Sequence, residues 1–172
     1  HNYFFAHGMD KVRPGGLMVY ITSQGALTNS KDGARMRDYL AKKADMVAAY
    51  KLPSGAFGES GTSVGTDIVI FRKRGEHEMK PTYAQDFQHV GEMFTRTDYA
   101  GREYGGVPVN EYFKAHPENI IGEASKGRDQ YGNDVLLDEV IIRGNSLIRK
   151  KDHVVVIPDK IQKKHAYSGY DL

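Results

Sequence analysis

The stretch Tyr50-Lys51-Leu52-Pro53-Ser54-Gly55-Ala56-Phe57-Gly58-Glu59-Ser60-Gly61-Thr62-Ser63-Val64-Gly65-Thr66-Asp67-Ile68-Val69-Ile70-Phe71 governs how the rest of the chain is read. A polar, glycine-dense loop separates two apolar runs and carries one large aromatic, Phe57, near its middle. Glycines spaced through such a loop allow positive φ and close approach to a ligand. The aromatic is then either a plug for the core beneath the loop or a flat platform for a planar partner.

Working outward, residues 2–12 place Phe5, Met9 and Val12 at helical spacing, and Pro14-Gly15-Gly16 ends that helix. Leu17 to Thr22 is a near-continuous apolar run, the pattern of a strand covered on both faces. A polar loop follows, then a helix over 32–43 with Met36, Leu40 and Ala44 on one face. Strands over 45–51 and 66–72 flank the opening loop. This alternation predicts an α/β layer with a parallel sheet, whose last two strands can pair as an antiparallel edge.

Beyond Gly75 the character changes, and 76–80 reads as a charged linker. Thr82 to Gln85 has capping-box spacing, and Tyr83, Phe87, Val90 and Phe94 then fall on one helical face. Residues 95–108 read as a long loop and 110–115 as a short helix. Strand candidates lie at about 135–142, 146–149 and 153–157. The expected organisation is a first unit over 1–75 and an α+β extension over 76–172.

At 172 residues the chain is long enough to bury a substantial core. It has no apolar run approaching the roughly 18 residues of a membrane span, and no signal peptide opens it. The absence of cysteine excludes disulfides and thiolate metal sites and fits a reducing, cytoplasmic setting. Residues 1–75 carry eleven Lys/Arg against six Asp/Glu, whereas 76–172 carry thirteen against sixteen. The basic first part suits a polyanion or, equally, an unevenly charged solvated surface.

Most catalytic readings fail on spacing. The seven histidines are scattered, without HExxH or another close ligand pattern. Gly58-Glu59-Ser60-Gly61-Thr62 lacks the second glycine of a G-x-S-x-G elbow. No Gly-Lys-Ser/Thr follows the loop glycines, and the loop enters a strand where phosphate capture needs a helix N-terminus. Base recognition survives these tests: a nucleotide drawn out of a duplex is held by its edge and by stacking on an aromatic. Phe57, with Lys51 and the hydroxyls of Thr62 and Ser63 nearby in sequence, has the parts for it. The residues alone leave both readings of Phe57 open.

Phe4-Phe5, Lys11-Val12-Arg13-Pro14-Gly15-Gly16, Tyr20-Ile21-Thr22-Ser23, Arg37-Asp38-Tyr39-Leu40, Tyr50-Lys51-Leu52-Pro53 and Gly61 to Lys73 occur in that order. Together they resemble the second half of an N6-adenine-specific DNA methyltransferase, in particular the large phage- and mobile-element-borne proteins that join such a methylase to a helicase. Val109 to Phe113 and His116 to Gly122 resemble the segment that follows it there. The resemblance implies a partial Rossmann-like methyltransferase fold, with 17–22, 46–51 and 66–72 as its fifth, sixth and seventh strands, the seventh being an antiparallel strand inserted between the other two. It implies Phe57 stacking on a flipped adenine, with Thr62, Ser63 and Lys51 also on the substrate side. It further implies Arg72, Lys73 and Arg74 at DNA phosphates, S-adenosyl-L-methionine as cofactor, and DNA and a fused helicase domain as partners.

The motifs that would bind that cofactor and hold the target amino group have no match here. The resemblance would place them before His1, so that the chain would need a missing N-terminal half and be inactive alone. The alternative is a catalytically inactive DNA-binding or scaffold module derived from the same fold. An edge left open on the fifth strand would also be a template for self-association.

Overall fold

In the computed structural model, the described residues are 2–29, 31–53, 56, 65–82, 84–128, 134–139, 142–143 and 146–147. Helix α1 (Asn2–Lys11) leads into strand β1 (Leu17–Ser23). A single helical turn, α2 (Gly25–Thr28), precedes helix α3 (Asp32–Lys43), which runs directly into β2 (Ala44–Leu52). Asp32 opens α3 and Lys42 and Lys43 close it, each charge at the end where the helix dipole favours it. Strand β3 (Thr66–Lys73) returns and inserts between the other two, so the sheet order is β1–β3–β2.

Both ladders of this sheet are antiparallel. The parallel neighbours predicted by the alternation of elements do not occur among these three strands, whereas 66–72 does lie antiparallel between the other two, where the resemblance placed it. β1 and β2 do run the same way, joined through α3, but β3 lies between them and supplies every neighbour contact. The register sets Val19 opposite Ile70 and Ile21 opposite Ile68 on one side, with Ala48 and Tyr50 opposite the same isoleucines on the other. A bulge between Met46 and Ala48 interrupts β2. Three strands in this order occur in many mixed α/β architectures and do not by themselves define a Rossmann-like sheet.

One face of the sheet is the main core. Met18, Ala49, Val69 and Phe71 meet Phe5 and Met9 of α1 and Met36, Leu40 and Ala41 of α3. Helix α1 crosses β1 so closely that a Cβ on Gly8 would stand 2.0 Å from the Tyr20 hydroxyl, which fixes glycine there. The same core continues past residue 75 through Phe87, Val107, Val109, Tyr112, Phe113 and Ile120. The Phe87 ring packs edge-on against Phe71, with centroids 5.3 Å apart. The opposite face buries Ala48, Tyr50 and Ile70, with Val47, Ile68 and Ile121 packed against them.

The expected helix across 82–94 does not form. Gln85 and Gln88 cap one 3-10 turn reciprocally (Asp86–Gln88), after which the chain extends into β4 (Val90–Met93). β4 pairs with β7 (Val107–Asn110), setting Met93 opposite Val107. Here cross-strand pairing with the buried valines of β7 outweighs a helical spacing that contained Val90 and Gly91, both weak helix formers. Of the four residues assigned to the helical face, Phe87 is buried and Phe94 is exposed; Tyr83 lies outside the described residues.

Within the expected loop 95–108, β5 (Arg96–Thr97) and β6 (Glu103–Tyr104) form a small hairpin. Helix α4 (Glu111–Ala115) follows β7 and is capped by the Asn110 side chain. A 3-10 turn at Pro117–Asn119 leads to β8 (Glu123–Arg128), which pairs with β9 (Asp134–Glu139). β10 (Ile142–Arg143) and β11 (Ser146–Leu147) form a minimal ladder. The strand candidate at 153–157 lies outside the described residues.

Candidate functional site

β1 and β2 both end, and β3 begins, at one end of the sheet, and the 53–65 loop leaves from that end. Lys51 and Asp67 are cross-strand partners at its base. Alternation along β2 puts Ala48 and Tyr50 on the second face and Ala49 and Lys51 on the main-core face. The ammonium is therefore carried inward. Lys51 Nζ donates to Asp67 Oδ1 at 2.8 Å, and the two side chains are 2% and 0% exposed.

Around this pair the fold converges. Gln24, after β1, offers Oε1 to Lys51 Nζ at 3.4 Å, and its backbone N–H donates to the Gly65 carbonyl at 2.9 Å. A Cβ on Gly65 would stand 2.7 Å from that same Oε1, so a glycine lets the loop return beside Gln24. The Phe113 ring lies 5.4 Å from Lys51 Nζ, a cation–π contact from α4. The Lys51 carbonyl accepts from Ile121 N at 2.9 Å, beside a parallel bridge to Ile120. Segments near residues 24, 51, 67 and 120 are thus tied together at this end of the sheet.

The electrostatics of the pair are unequal. Burial pushes the Asp67 carboxyl above the usual aspartate range, against the opposing pull of Lys51. Asp67 Oδ2 is buried and has no hydrogen-bond partner among the described residues. A buried carboxylate with one oxygen unpaired is costly, and groups perturbed in this way concentrate at functional sites. As arranged, the pair clamps the two strands from which the loop emerges.

Framework residues hold the neighbouring segments. Arg37 is buried, donating Nε to the Gln88 carbonyl at 3.2 Å and Nη1 to the Ala26 and Asn29 carbonyls at 3.2 and 3.1 Å. Asn110 donates Nδ2 to the Leu27 and Phe87 carbonyls at 3.0 and 2.9 Å while its Oδ1 accepts from Tyr112 N. These two side chains bind α2 and its loop to α3, β7 and α4.

The residues expected at a site separate into three groups. Phe57, Thr62 and Ser63 lie outside the described residues. Lys51 is at the site, but its charge is taken up by Asp67, so it is not a free cation for a substrate. Arg72, Lys73 and Arg74 lie at the opposite end of β3, some seven residues or about 24 Å away along an extended strand.

All three of those basic residues are engaged internally. Arg72 forks onto Glu78 at 3.0 and 2.9 Å and reaches Asp45 at 3.4 Å. Lys73 donates to the Asp10 and Val12 carbonyls. Arg74 is buried against Asp45 and the Ala41 and Ala44 carbonyls. In the fold the three tie this end of the sheet to Asp10 and Val12, to 41–45 and to Glu78.

Sequence reasoning passed over Asp67, Gln24 and Phe113. The signal for the first was present, since a lysine ending one apolar strand and an aspartate opening the next are natural cross-strand partners in a hairpin. Among the described residues no three His, Asp or Glu side chains are grouped to hold a metal, and no helix is long and apolar enough to cross a membrane. A shallow groove of about 340 Å³ beside α3 is lined by Asp38, Lys42, Lys80, Gln85 and Gln88. Its polar lining includes the internal hydrogen bond of Gln88 Nε2 to Asp38 at 3.0 Å.

Comparison with known proteins changes the functional frame. The chain is similar to the defense against restriction protein B of Escherichia phage P1, 38% identical over 72 residues. The match covers 42% of this chain and 3% of that protein. No protein-family model matches the sequence, and no solved structure matches it. The similarity is to a restriction-defence protein, not to a methyltransferase, which overturns the N6-adenine methyltransferase reading together with its S-adenosyl-L-methionine chemistry. The derived alternative, an inactive module of that same fold, falls with it. The resemblance rested on short residue motifs in a given order, without the cofactor-binding and catalytic motifs, and such motifs do not by themselves establish activity.

Proposed function

We propose that this chain is a working segment of a protein that defends against restriction, and that it contributes a recognition surface at the loop-bearing end of the β1–β3–β2 sheet. The observation that carries the reading is the 38% identity over 72 residues to the phage P1 restriction-defence protein. The geometry agrees with a recognition role. A loop whose two ends are joined by a buried ion pair, and whose base is tied to Gln24 and Ile121, starts from fixed positions. Fixed loop ends reduce the ordering cost of binding.

The test is genetic. Residues 54–64 are replaced by a Gly/Ser linker of equal length in a phage that carries the gene for the protein containing this chain, leaving Lys51 and Asp67 in place. Plating is then compared on restricting and non-restricting hosts. The expected result is a loss of at least tenfold in plating confined to the restricting host. Equal plating on both hosts by altered and unaltered phage would refute the proposal, and an equal loss on both would refute a role specific to restriction.

A further inference from the structure

The Lys51–Asp67 pair combines features that an ordinary ion pair does not need. The two residues are direct cross-strand partners, and their side chains already meet, with Nζ 2.8 Å from Oδ1. Both are cut off from solvent, at 2% and 0% exposure. Phe113 closes over the ammonium, its ring centroid 5.4 Å from Nζ. The second carboxyl oxygen, Oδ2, is buried without a hydrogen-bond partner among the described residues. Gln24 Oε1, 3.4 Å from Nζ, is polar but carries no charge.

Two charges kept out of water carry a large desolvation penalty, which their attraction offsets only when the remaining lone pairs are hydrogen-bonded. Here one oxygen lacks that support, and burial raises the Asp67 carboxyl above the usual aspartate range. A neutral product made from the same atoms escapes the penalty. An amine and a carboxyl held in contact also react as neighbours within one molecule, at effective concentrations that reach about 10⁵–10⁸ M in well-oriented cases.

We propose that Lys51 and Asp67 condense, after folding, into an amide that links β2 covalently to β3 at the end of the sheet where the 53–65 loop leaves. One proton passes from Nζ to Oδ1 along the existing hydrogen bond, giving an amine and a carboxylic acid. The Nζ lone pair attacks Cγ and forms the N–C bond, while the C=O electron pair shifts onto Oδ2. Nζ then gives a second proton to the Oδ1 hydroxyl, which leaves as water with the electrons of the broken C–O bond. The C=O re-forms at Oδ2. One ammonium and one carboxylate thus become one amide and one water, with no oxidant, reductant or cofactor. Gln24 Oε1 is the acceptor at hand for the amide N–H that remains.

No third carboxyl is hydrogen-bonded to the pair among the described residues to relay these protons, so the reaction is slow. The ion pair is the form in which the chain folds, and it remains the reference for substitutions at either position. The link does not depend on what the loop recognises.

Mass spectrometry of the full 172-residue chain reads the product directly. Chain held folded at neutral pH over several days, then denatured, should be lighter by one water in more than half of the molecules. Trypsin cuts after Lys43 and Arg72 and, in the unlinked chain, also after Lys51. The linked chain resists cutting at Lys51 and yields residues 44–72 as one peptide lacking one water, which fragmentation places between Lys51 and Asp67. Lys51→Arg offers no amine for this amide and should keep its full mass. If that variant does not fold, the peptide map of the parent chain decides alone. A parent chain that keeps its full mass overturns the proposal. So does a loss of water that Lys51→Arg shows equally, or one that maps to other residues.

Discussion

Removing one member of the Lys51–Asp67 pair should destabilise the protein in a way that depends on which member is removed. In Lys51→Met the Asp67 carboxyl loses its cation and keeps no partner among the described residues, since Oδ2 has none there. The least costly outcome is that it takes up a proton. Its ordinary value is 3.8, so holding it neutral at pH 7 costs about 1.4 kcal/mol for each of roughly three units, or about 4 kcal/mol. At pH 5 the same step costs under about 2 kcal/mol.

The sign follows from linkage. A carboxyl whose folded pKa is raised binds more protons in the native state, so stability falls as pH rises from its unfolded value towards its folded one. Asp67→Asn behaves differently. It leaves Lys51 with an amide oxygen, a 3.4 Å contact to Gln24 and the Phe113 ring. The loss should be about 3 kcal/mol, at the lower end for a broken buried pair. Replacing both, as Lys51→Met with Asp67→Leu, should recover stability to within about 1 kcal/mol of the parent.

Urea denaturation followed by circular dichroism at pH 5, 6, 7 and 8 measures all three variants. A pH-independent loss in Lys51→Met, or a double variant no more stable than the worse single one, would show that the pair is not buried as described.

Two further substitutions probe the framework beneath the loop. Arg37→Lys keeps the charge but cannot span carbonyls at Ala26, Asn29 and Gln88 with one nitrogen; thermal unfolding should show a loss of about 2–3 kcal/mol, and an unchanged melting temperature would contradict it. Asn110→Asp removes the donors that serve Leu27 and Phe87 and sets a carboxylate against their carbonyls. Chemical denaturation should give a loss of about 3 kcal/mol at neutral pH that shrinks on acidification, when the protonated carboxyl can donate again; a loss that grows on acidification would be inconsistent with these contacts.

Local elements were legible wherever one local signal dominated. Helix α3 has an acid at its start, two lysines at its end and a clear apolar stripe, and it spans 32–43 as expected. The apolar runs at 17–22 and 66–72 are strands because nothing in them favours a turn. Partner choice was less legible. The order of elements suggested parallel neighbours, and it was the short motifs, not the alternation, that implied β3 lying antiparallel between β1 and β2. Residues 82–94 had a helical spacing, yet β7, some fifteen residues further on, supplied the pairing that made 90–93 a strand.

The candidate site was less legible still, because burial of charge is a tertiary fact. Counted along the sequence, the basic excess in 1–75 looks like a surface field that could attract a polyanion. In the folded chain Arg37, Lys51 and Arg74 are buried, and Arg72 and Lys73 are bound to groups of the protein itself. The other basic residues of that segment, Lys11, Arg13, Lys31, Arg35, Lys42 and Lys43, lie on or beside α1 and α3. A field assembled from these belongs to the helical layer, whereas the lysine near the end of β2 is already paired with Asp67. The recognition role proposed for this end of the sheet would therefore draw little on attraction to the charges of β2 and β3. Its dependence on salt should be correspondingly shallow, since screening acts chiefly on exposed charges.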